Sequence, residues 1–137
     1  MKALFAITIG AALLIASVPG AAHHSFAAEF DADSPIELTG TVTKVAWANP
    51  HTFFYIDVQT ADGKYENWAL EMGSPNGLMR RGWTRNSMKI GETVTVTGSR
   101  AKDGSFKGNA RSVVLSTGQR LFAGSSQENA EGGESAD

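Results

Sequence analysis

Between its two ends the chain alternates hydrophobic and polar positions with a period of mostly two, which is typical of half-buried β-strands. In IELTGTVTKVAW the alternation puts on one face Ile36, Leu38, Gly40 and Val42. A glycine inside a strand predicts a bulge or a sharp bend, so we expect the first strand to coil at Gly40. The segments TFFYIDVQT and YENWALEM alternate in the same way, and Asp62-Gly63 between them predicts a hairpin turn.

The pattern changes after the third strand, where GSPNGLMRRGW predicts a short helix. Ser74 is a typical N-cap and Pro75 suits the first helical position. We expect the helix to run from Pro75 to about Arg81 and to end near Gly82. Alternation returns in GETVTVTGSRA and NARSVVLS, which predict two further strands joined by the turn sequence KDGS. A last short strand is expected over QRLF.

Three strands, a short helix and two more strands follow the order of an OB-fold. We therefore predict a mainly β (all-β) protein, a small OB-fold-like five-stranded barrel with one short helix between strands 3 and 4. Closing the sheet in this way removes edges that would otherwise favour aggregation. An open α+β sheet and a small sandwich are the alternatives.

The first 22 residues have the features of a secretory signal peptide, because Lys2 is followed by an apolar run and then by small residues. The run is short for a membrane span, which needs about 20 apolar residues, and an N-terminal anchor helix is the alternative. The small residues Gly20 and Ala22 favour cleavage before His23. We therefore expect a periplasmic or secreted bacterial protein with no stable membrane insertion after cleavage.

The remainder predicts one domain over residues 23–122 and a disordered acidic tail over residues 123–137, which lacks large apolar anchors. Removing Lys2 from the 12 cations leaves 11 against 14 acids, a net charge of -3. This balance argues against nucleic acid as a partner. The chain contains no cysteine, which excludes disulfides, thiolate metal sites and haem attachment.

The three histidines of the chain are candidate metal ligands. Cleavage before His23 leaves that residue with a ring nitrogen and a free α-amine, which can chelate one ion together. His51 lies in WANPHTFF, where Pro50 restricts the turn after the first strand. The amine and ring of His23 with the ring of His51 form a T-shaped set of three nitrogens, which suits Cu(II) better than Zn(II) or Ni(II). His24 is a further candidate, although adjacent side chains reach one ion only if the backbone bends.

The alternative for these histidines is structural. A histidine pair at a flexible chain end contributes to solubility, and a histidine in a turn commonly forms hydrogen bonds with its neighbours alone.

A second candidate is a surface that binds a partner or a ligand around the short helix and the first loop. Its aromatic, amide and cationic members are Trp47, Asn49, Arg80, Arg81, Trp83 and Arg85. Such a patch suits a carboxylate or phosphate group, or the acidic surface of another exported protein. In the structural alternative, Trp83 packs in the core. Arg80 or Arg81 then pairs with one of three sheet carboxylates, Glu66, Asp57 or Glu71.

Four ordered blocks resemble a family of small exported bacterial proteins of unknown function: AHHSFAAEFD, LTGTVTKVAWANPHTFFYIDV, NWALEMGSPNGLMRRGWTR and GETVTVTGSRAKDGS. The resemblance runs from Ala22 to about Phe122 and implies export and a small β-rich domain. A looser likeness is to exported OB-fold copper carriers, for which four residues are of the right type, His51, Trp47, Trp68 and Met72. The spacing of the carriers' ligands is not reproduced, so this likeness implies only that the fold class handles metals.

The chain has no nucleophile elbow, phosphate loop or zinc-binding helix motif, and regular alternation puts Glu66 and Glu71 on opposite faces. We therefore expect a non-enzymatic exported binding module that binds copper through His23 and His51. The first alternative is an accessory protein–protein interaction module of the cell envelope. The second is a histidine-led copper oxidase acting on polysaccharide, an activity that requires a flat face on a larger sandwich.

Overall fold

The computed structural model describes residues 26–124. Within this range residues 26–29 are helical and lead directly into the first strand. The elements that follow are β1 (Phe30–Ala46), β2 (Phe53–Gln59), β3 (Tyr65–Glu71), α1 (Pro75–Met79), β4 (Thr93–Ala101), β5 (Lys107–Val114) and β6 (Arg120–Phe122).

The long strand β1 joins the two halves of the sheet. Its first part pairs antiparallel with β4, from Phe30 opposite Ala101 onward, and its last part pairs antiparallel with β2. The strands are ordered β3-β2-β1-β4-β5-β6, and β3 also pairs in parallel with β5. This extra pairing closes the sheet into a barrel with the helix between strands 3 and 4, which confirms the predicted OB-fold-like architecture. The short strand expected over QRLF is β6, which extends the edge of β5.

The interior of the barrel is apolar, as the alternation predicts. Its fully buried large side chains are Phe54, Ile56, Leu70, Leu78, Val42, Val94, Val96 and Val113. Helix α1 contributes Leu78, which is fully buried in this core. The Ser74 hydroxyl caps the helix by accepting a hydrogen bond from the Gly77 amide at 3.2 Å, as expected for an N-cap.

The helix ends earlier than expected, at Met79 instead of about Arg81. The Arg81 amide donates to the Leu78 carbonyl, which tightens the last turn. Gly82 then adopts a φ of +96°, a conformation that favours glycine, and turns the chain back. As a result Trp83 enters the core instead of extending the helix.

The ordered chain continues past Phe122. Ala123 and Gly124, which the sequence assigned to the acidic tail, are buried in the fold. The Ala123 amide donates to the Arg111 carbonyl at 2.8 Å, and the Gly73 amide donates to the Ala123 carbonyl at 2.9 Å. The domain therefore extends at least to Gly124. The predicted signal peptide and the rest of the predicted tail lie outside the described residues.

Gly40 lies where β1 passes from β4 to β2. A Cβ atom at this position would lie 2.5 Å from the Asp57 carbonyl oxygen of β2, closer than such atoms approach in proteins. The register shift of β1 lies between Val42 and Lys44, so the bulge occurs a few residues after Gly40, and Gly40 itself makes the close backbone contact.

We predict that Gly40→Ala lowers the free energy of unfolding by about 2–3 kcal/mol, because the added methyl group meets rigid backbone. Urea denaturation followed by tryptophan fluorescence measures the change. The control is Glu37→Ala, which replaces an exposed residue of the same strand and is expected to change stability by less than about 0.5 kcal/mol. Equal stability of the native protein and Gly40→Ala would contradict the close approach of β1 and β2.

Candidate functional site

The register of the β2–β3 hairpin brings a histidine and a carboxylate together. The pairs run from Gln59 opposite Tyr65, next to the turn, to Phe53 opposite Glu71. The pairing continues past the strand ends, because the Met72 amide donates to the Thr52 carbonyl at 2.8 Å. Side chains two residues apart in a strand lie on one face, so this register directs His51 to the face that carries Phe53 and Glu71.

On this face Nδ1 of His51 is hydrogen-bonded to Oε1 of Glu71. The Glu71 side chain is only 10% exposed, whereas the His51 side chain is 43% exposed. The carboxylate is therefore fixed in the sheet, and the imidazole projects from the β1–β2 loop with a surface open to solvent. We refer to these two residues as the His51–Glu71 dyad.

The dyad determines which nitrogen of His51 is free to react. A carboxylate accepts hydrogen bonds, so Nδ1 is the donor. In the neutral ring the lone pair is then on Nε2, which has no hydrogen-bond partner among residues 26–124. An oriented imidazole with an available Nε2 can ligate a metal ion or accept a proton.

Beside the dyad, the outer face of the barrel combines aromatic rings with lysines. The Lys44 ammonium lies 5.3 Å from the centre of the Tyr55 ring. The Lys107 ammonium lies 5.7 Å from the centre of the Phe53 ring. Phe53 is the residue directly opposite Glu71, so a cation lies next to the dyad on the adjoining strand β5.

The loop that carries His51 is partly anchored by its first residue. Trp47 is half-buried and packs against the core, so only part of its ring is open to a ligand. Asn49 is exposed, and its peptide bond to Pro50 is cis. Thr52 at the end of the loop is completely buried. The loop therefore presents Asn49 and His51 as its accessible polar side chains.

Some members of the predicted binding surface around the short helix pack in the fold, and others are exposed. Trp83 is buried, and its indole N–H donates to the Phe122 carbonyl at 2.8 Å, so it belongs to the core as the structural alternative predicted. The Arg81 guanidinium donates to the Gly124 carbonyl at 3.3 Å and covers the Phe122 ring at 4.4 Å. Arg80 and Arg85 are exposed.

The expected pairing of Arg80 or Arg81 with a sheet carboxylate does not occur among the described residues. Glu71 is hydrogen-bonded to His51, and Glu66 accepts a hydrogen bond from the Trp68 indole at 3.1 Å. Asp57 accepts a hydrogen bond from Asn67 at 2.8 Å. Each of these carboxylates has another partner, and Arg81 instead contacts Phe122 and Gly124.

The other residues proposed for metal binding have different positions. His23 and His24 lie outside the described residues. Met72 and Trp68 are 2% and 4% exposed, so neither offers a surface ligand beside His51 in the manner of the copper carriers. Within residues 26–124 no group of three histidine or acidic side chains is arranged to hold a metal ion.

Glu71 is the site residue that sequence reasoning did not connect with His51. The sequence feature that could have connected the two residues is the Asp62-Gly63 turn, because a tight turn fixes the register of the two strands it joins. Continuing that register to the strand ends puts Glu71 diagonal to His51.

Comparison with known proteins places the chain in a family. A model described as a family of unknown function (DUF6152) matches residues 11–110. The chain belongs to this family. The match confirms the predicted resemblance to a family of unknown function, and it assigns no activity. No curated protein matches the chain significantly.

Among solved structures, the chain is similar to the mitochondrial single-stranded DNA binding protein Rim1 of S. cerevisiae. The two share 13% sequence identity with a TM-score of 0.48, over 60% of this chain and 92% of Rim1. Within residues 26–124, no helix is long and apolar enough to cross a membrane.

We predict that Glu71 controls the tautomer of His51. In the native protein at alkaline pH, two-bond ¹H–¹⁵N correlation spectra should show the Nδ1–H form, because the carboxylate accepts that proton. Glu71→Ala should change the spectrum toward the Nε2–H form. The control is Glu66→Ala, which removes the other carboxylate of β3 and should leave the His51 signals unchanged. An Nε2–H tautomer in the native protein would contradict the dyad.

Proposed function

We propose that this protein is an exported, non-enzymatic binding module that holds Cu(II) at the end of the barrel formed by the β1–β2 loop. The observation that supports this function best is the His51–Glu71 dyad. It combines a half-exposed imidazole with a buried carboxylate on Nδ1. Metal-binding histidines usually donate their second ring N–H to a carboxylate or carbonyl, which orients the ring and raises its basicity.

The remaining ligands come from outside residues 26–124 under this proposal. The only other histidines in the chain are His23 and His24. With His23 at the mature N-terminus, its amine and ring supply two nitrogens and His51 Nε2 supplies the third. Three nitrogens in one plane match the tetragonal preference of Cu(II), which also has the highest affinity in the divalent series. Copper, when bound, would supply a redox-active centre; the residues described here orient one ligand and hold its proton on Nδ1.

The location of the protein is part of the proposal. An N-terminal amine at His23 exists only after cleavage of the predicted signal peptide, so the copper site would form after export to the periplasm or medium. The cysteine-free composition suits such a site, since no thiolate competes for the metal.

We predict tight one-to-one binding of Cu(II) by protein exported through its own leader and shown by mass to begin at His23. Isothermal titration calorimetry should give an affinity that falls about 10- to 100-fold in Glu71→Ala, the range usual for loss of an outer carboxylate. His51→Ala should lose more, because it removes a ligand. One extra alanine before His23 should have a similar effect, since it removes the amine and ring chelate.

The control for this titration is Glu66→Ala, whose carboxylate lies away from the dyad and contacts Trp68. Its affinity for copper should equal that of the native protein. Weak copper binding that is indifferent to His51→Ala and to the extra alanine would overturn the proposal.

A second candidate function is docking to another exported protein. It is favoured by an exposed stretch at the end of α1, where Met79 is 50% exposed and is followed by exposed Arg80. Arg85 is exposed in the same connection to β4. An apolar side chain among cations suits an acidic partner surface.

This candidate predicts that Arg80→Glu with Arg85→Glu abolishes co-purification of a partner and leaves the thermal unfolding temperature unchanged. Arg81 is not a useful test residue, because it contacts Phe122 and Gly124. The matched control is Arg120→Glu, another exposed arginine that should retain the partner. A native protein that captures no partner from envelope extracts would remove this candidate.

A further inference from the structure

We propose that Asn76 is a site of deamidation and that the Ser74 cap of helix α1 controls how fast it reacts. Asn76 is the only asparagine of the chain that is followed by glycine. It is exposed near the start of α1, in the connection between β3 and β4. The modification site is independent of the proposed copper site.

The reaction requires water as its only reactant. The Gly77 amide nitrogen gives its proton to hydroxide and forms a bond with Cγ of Asn76. The side-chain nitrogen takes up a proton from water and leaves as ammonia, so the product is a five-membered succinimide ring. A second water molecule opens the ring. Addition at Cγ gives aspartate, whereas addition at the former main-chain carbonyl gives isoaspartate, in which the backbone runs through Cγ.

Glycine at position 77 favours this reaction, and the cap explains why glycine is suited to the position. Without a side chain, the Gly77 amide is accessible and its backbone adopts a wide range of conformations. A Cβ atom at this position would lie 3.2 Å from the Ser74 hydroxyl oxygen, closer than most such contacts in proteins. The residue that accommodates the cap therefore also gives Asn76 a reactive neighbour.

In the folded helix the reacting nitrogen already has a partner. The Gly77 amide donates to the Ser74 hydroxyl oxygen at 3.2 Å, and the Leu78 amide donates to the Ser74 carbonyl at 2.9 Å. Ring closure also requires the Asn76 backbone to rotate away from the helical ψ. The reaction therefore proceeds from a state in which the first turn of α1 has opened.

This opening does not require the barrel to unfold. Helix α1 has only five residues, and helices of this length are held mainly by tertiary packing. Its packing in the core comes from Pro75 and Leu78, whereas Asn76 is exposed between them. Exposed helix ends open at a lower free energy than the whole domain. The strength of the Ser74 cap therefore sets the fraction of molecules that can react.

Deamidation changes the surface next to Arg80. The Arg80 amide donates to the Asn76 carbonyl at 3.2 Å, and residues four apart are neighbours on a helix surface. An aspartate at position 76 adds a negative charge beside the Arg80 guanidinium. In isoaspartate, the carbonyl that accepted the Arg80 amide becomes part of a free carboxylate. Both products lower the positive charge of the exposed stretch that the second candidate function uses.

The test is incubation of the purified protein at mildly alkaline pH, followed by proteolysis and tandem mass spectrometry to measure deamidation at each asparagine. In the native protein, aspartate and isoaspartate should accumulate at Asn76 before any other described asparagine. Ser74→Ala should react about fivefold faster, the factor expected from loss of a helix cap. Ser74→Thr keeps a capping hydroxyl and should react at close to the native rate.

Two further variants separate the chemistry from the opening. Gly77→Ala should react more slowly than the native protein, even though its Cβ atom crowds the cap, because the side chain hinders the attacking nitrogen. Gly40→Ala weakens the contact between β1 and β2 and leaves α1 intact, so its rate should be native.

Each part of the proposal has an outcome that overturns it. An equal rate in Ser74→Ala and the native protein overturns control by the cap, and so does a faster reaction in Gly40→Ala than in Ser74→Ala. Gly77→Ala that reacts as fast as the native protein excludes the Gly77 amide as the nucleophile. If Asn76 reacts only in urea-unfolded protein and stays intact in both folded native protein and Ser74→Ala, the modification site itself is wrong.

Discussion

The parallel pairing of β3 with β5 is the constraint on which the barrel and its candidate site both depend. It closes the sheet by joining Ala69 to Lys107 and Glu71 to Asn109. The same contact brings the carboxylate that holds His51 next to the strand that carries Lys107. Parallel pairing requires a long connection between the strands, and here the short helix and β4 supply it. The pairing that closes the barrel therefore also places β3 and β5 side by side on this outer face.

Much of the fold was predictable because its signals are local. Alternation indicates which side of each strand is buried, and Ser74-Pro75 marks the helix start correctly. The Asp62-Gly63 turn was also identified correctly, with Gly63 at a φ of +81°. The helix end was less predictable, because the burial of Trp83 and the turn at Gly82 decide it. Such tertiary contacts are not encoded in helix propensity.

The candidate site also has parts that the sequence predicts and parts that it does not. His51 was recognisable as a loop histidine after a proline, but its partner depended on strand register, which had to be extended from the turn. The role of Arg81 was not predictable from its sequence neighbours. Arg81 contacts Phe122 and Gly124, which lie about one third of the chain length further along the sequence. The ion pair of Lys107 with Glu29 likewise joins residues that are far apart in the sequence. Contacts of this range arise from barrel closure and leave no periodic signal in the sequence.

In the proposed copper site, one imidazole from the loop and one from the mature N-terminus bind the same ion. Electron spin echo envelope modulation of the Cu(II)-loaded mature protein tests this most directly, since the remote nitrogen of each bound imidazole modulates the echo. We expect combination lines from two imidazoles in the native protein and the pattern of a single imidazole in His51→Ala. A one-imidazole pattern in the native protein that His51→Ala leaves unchanged would contradict it.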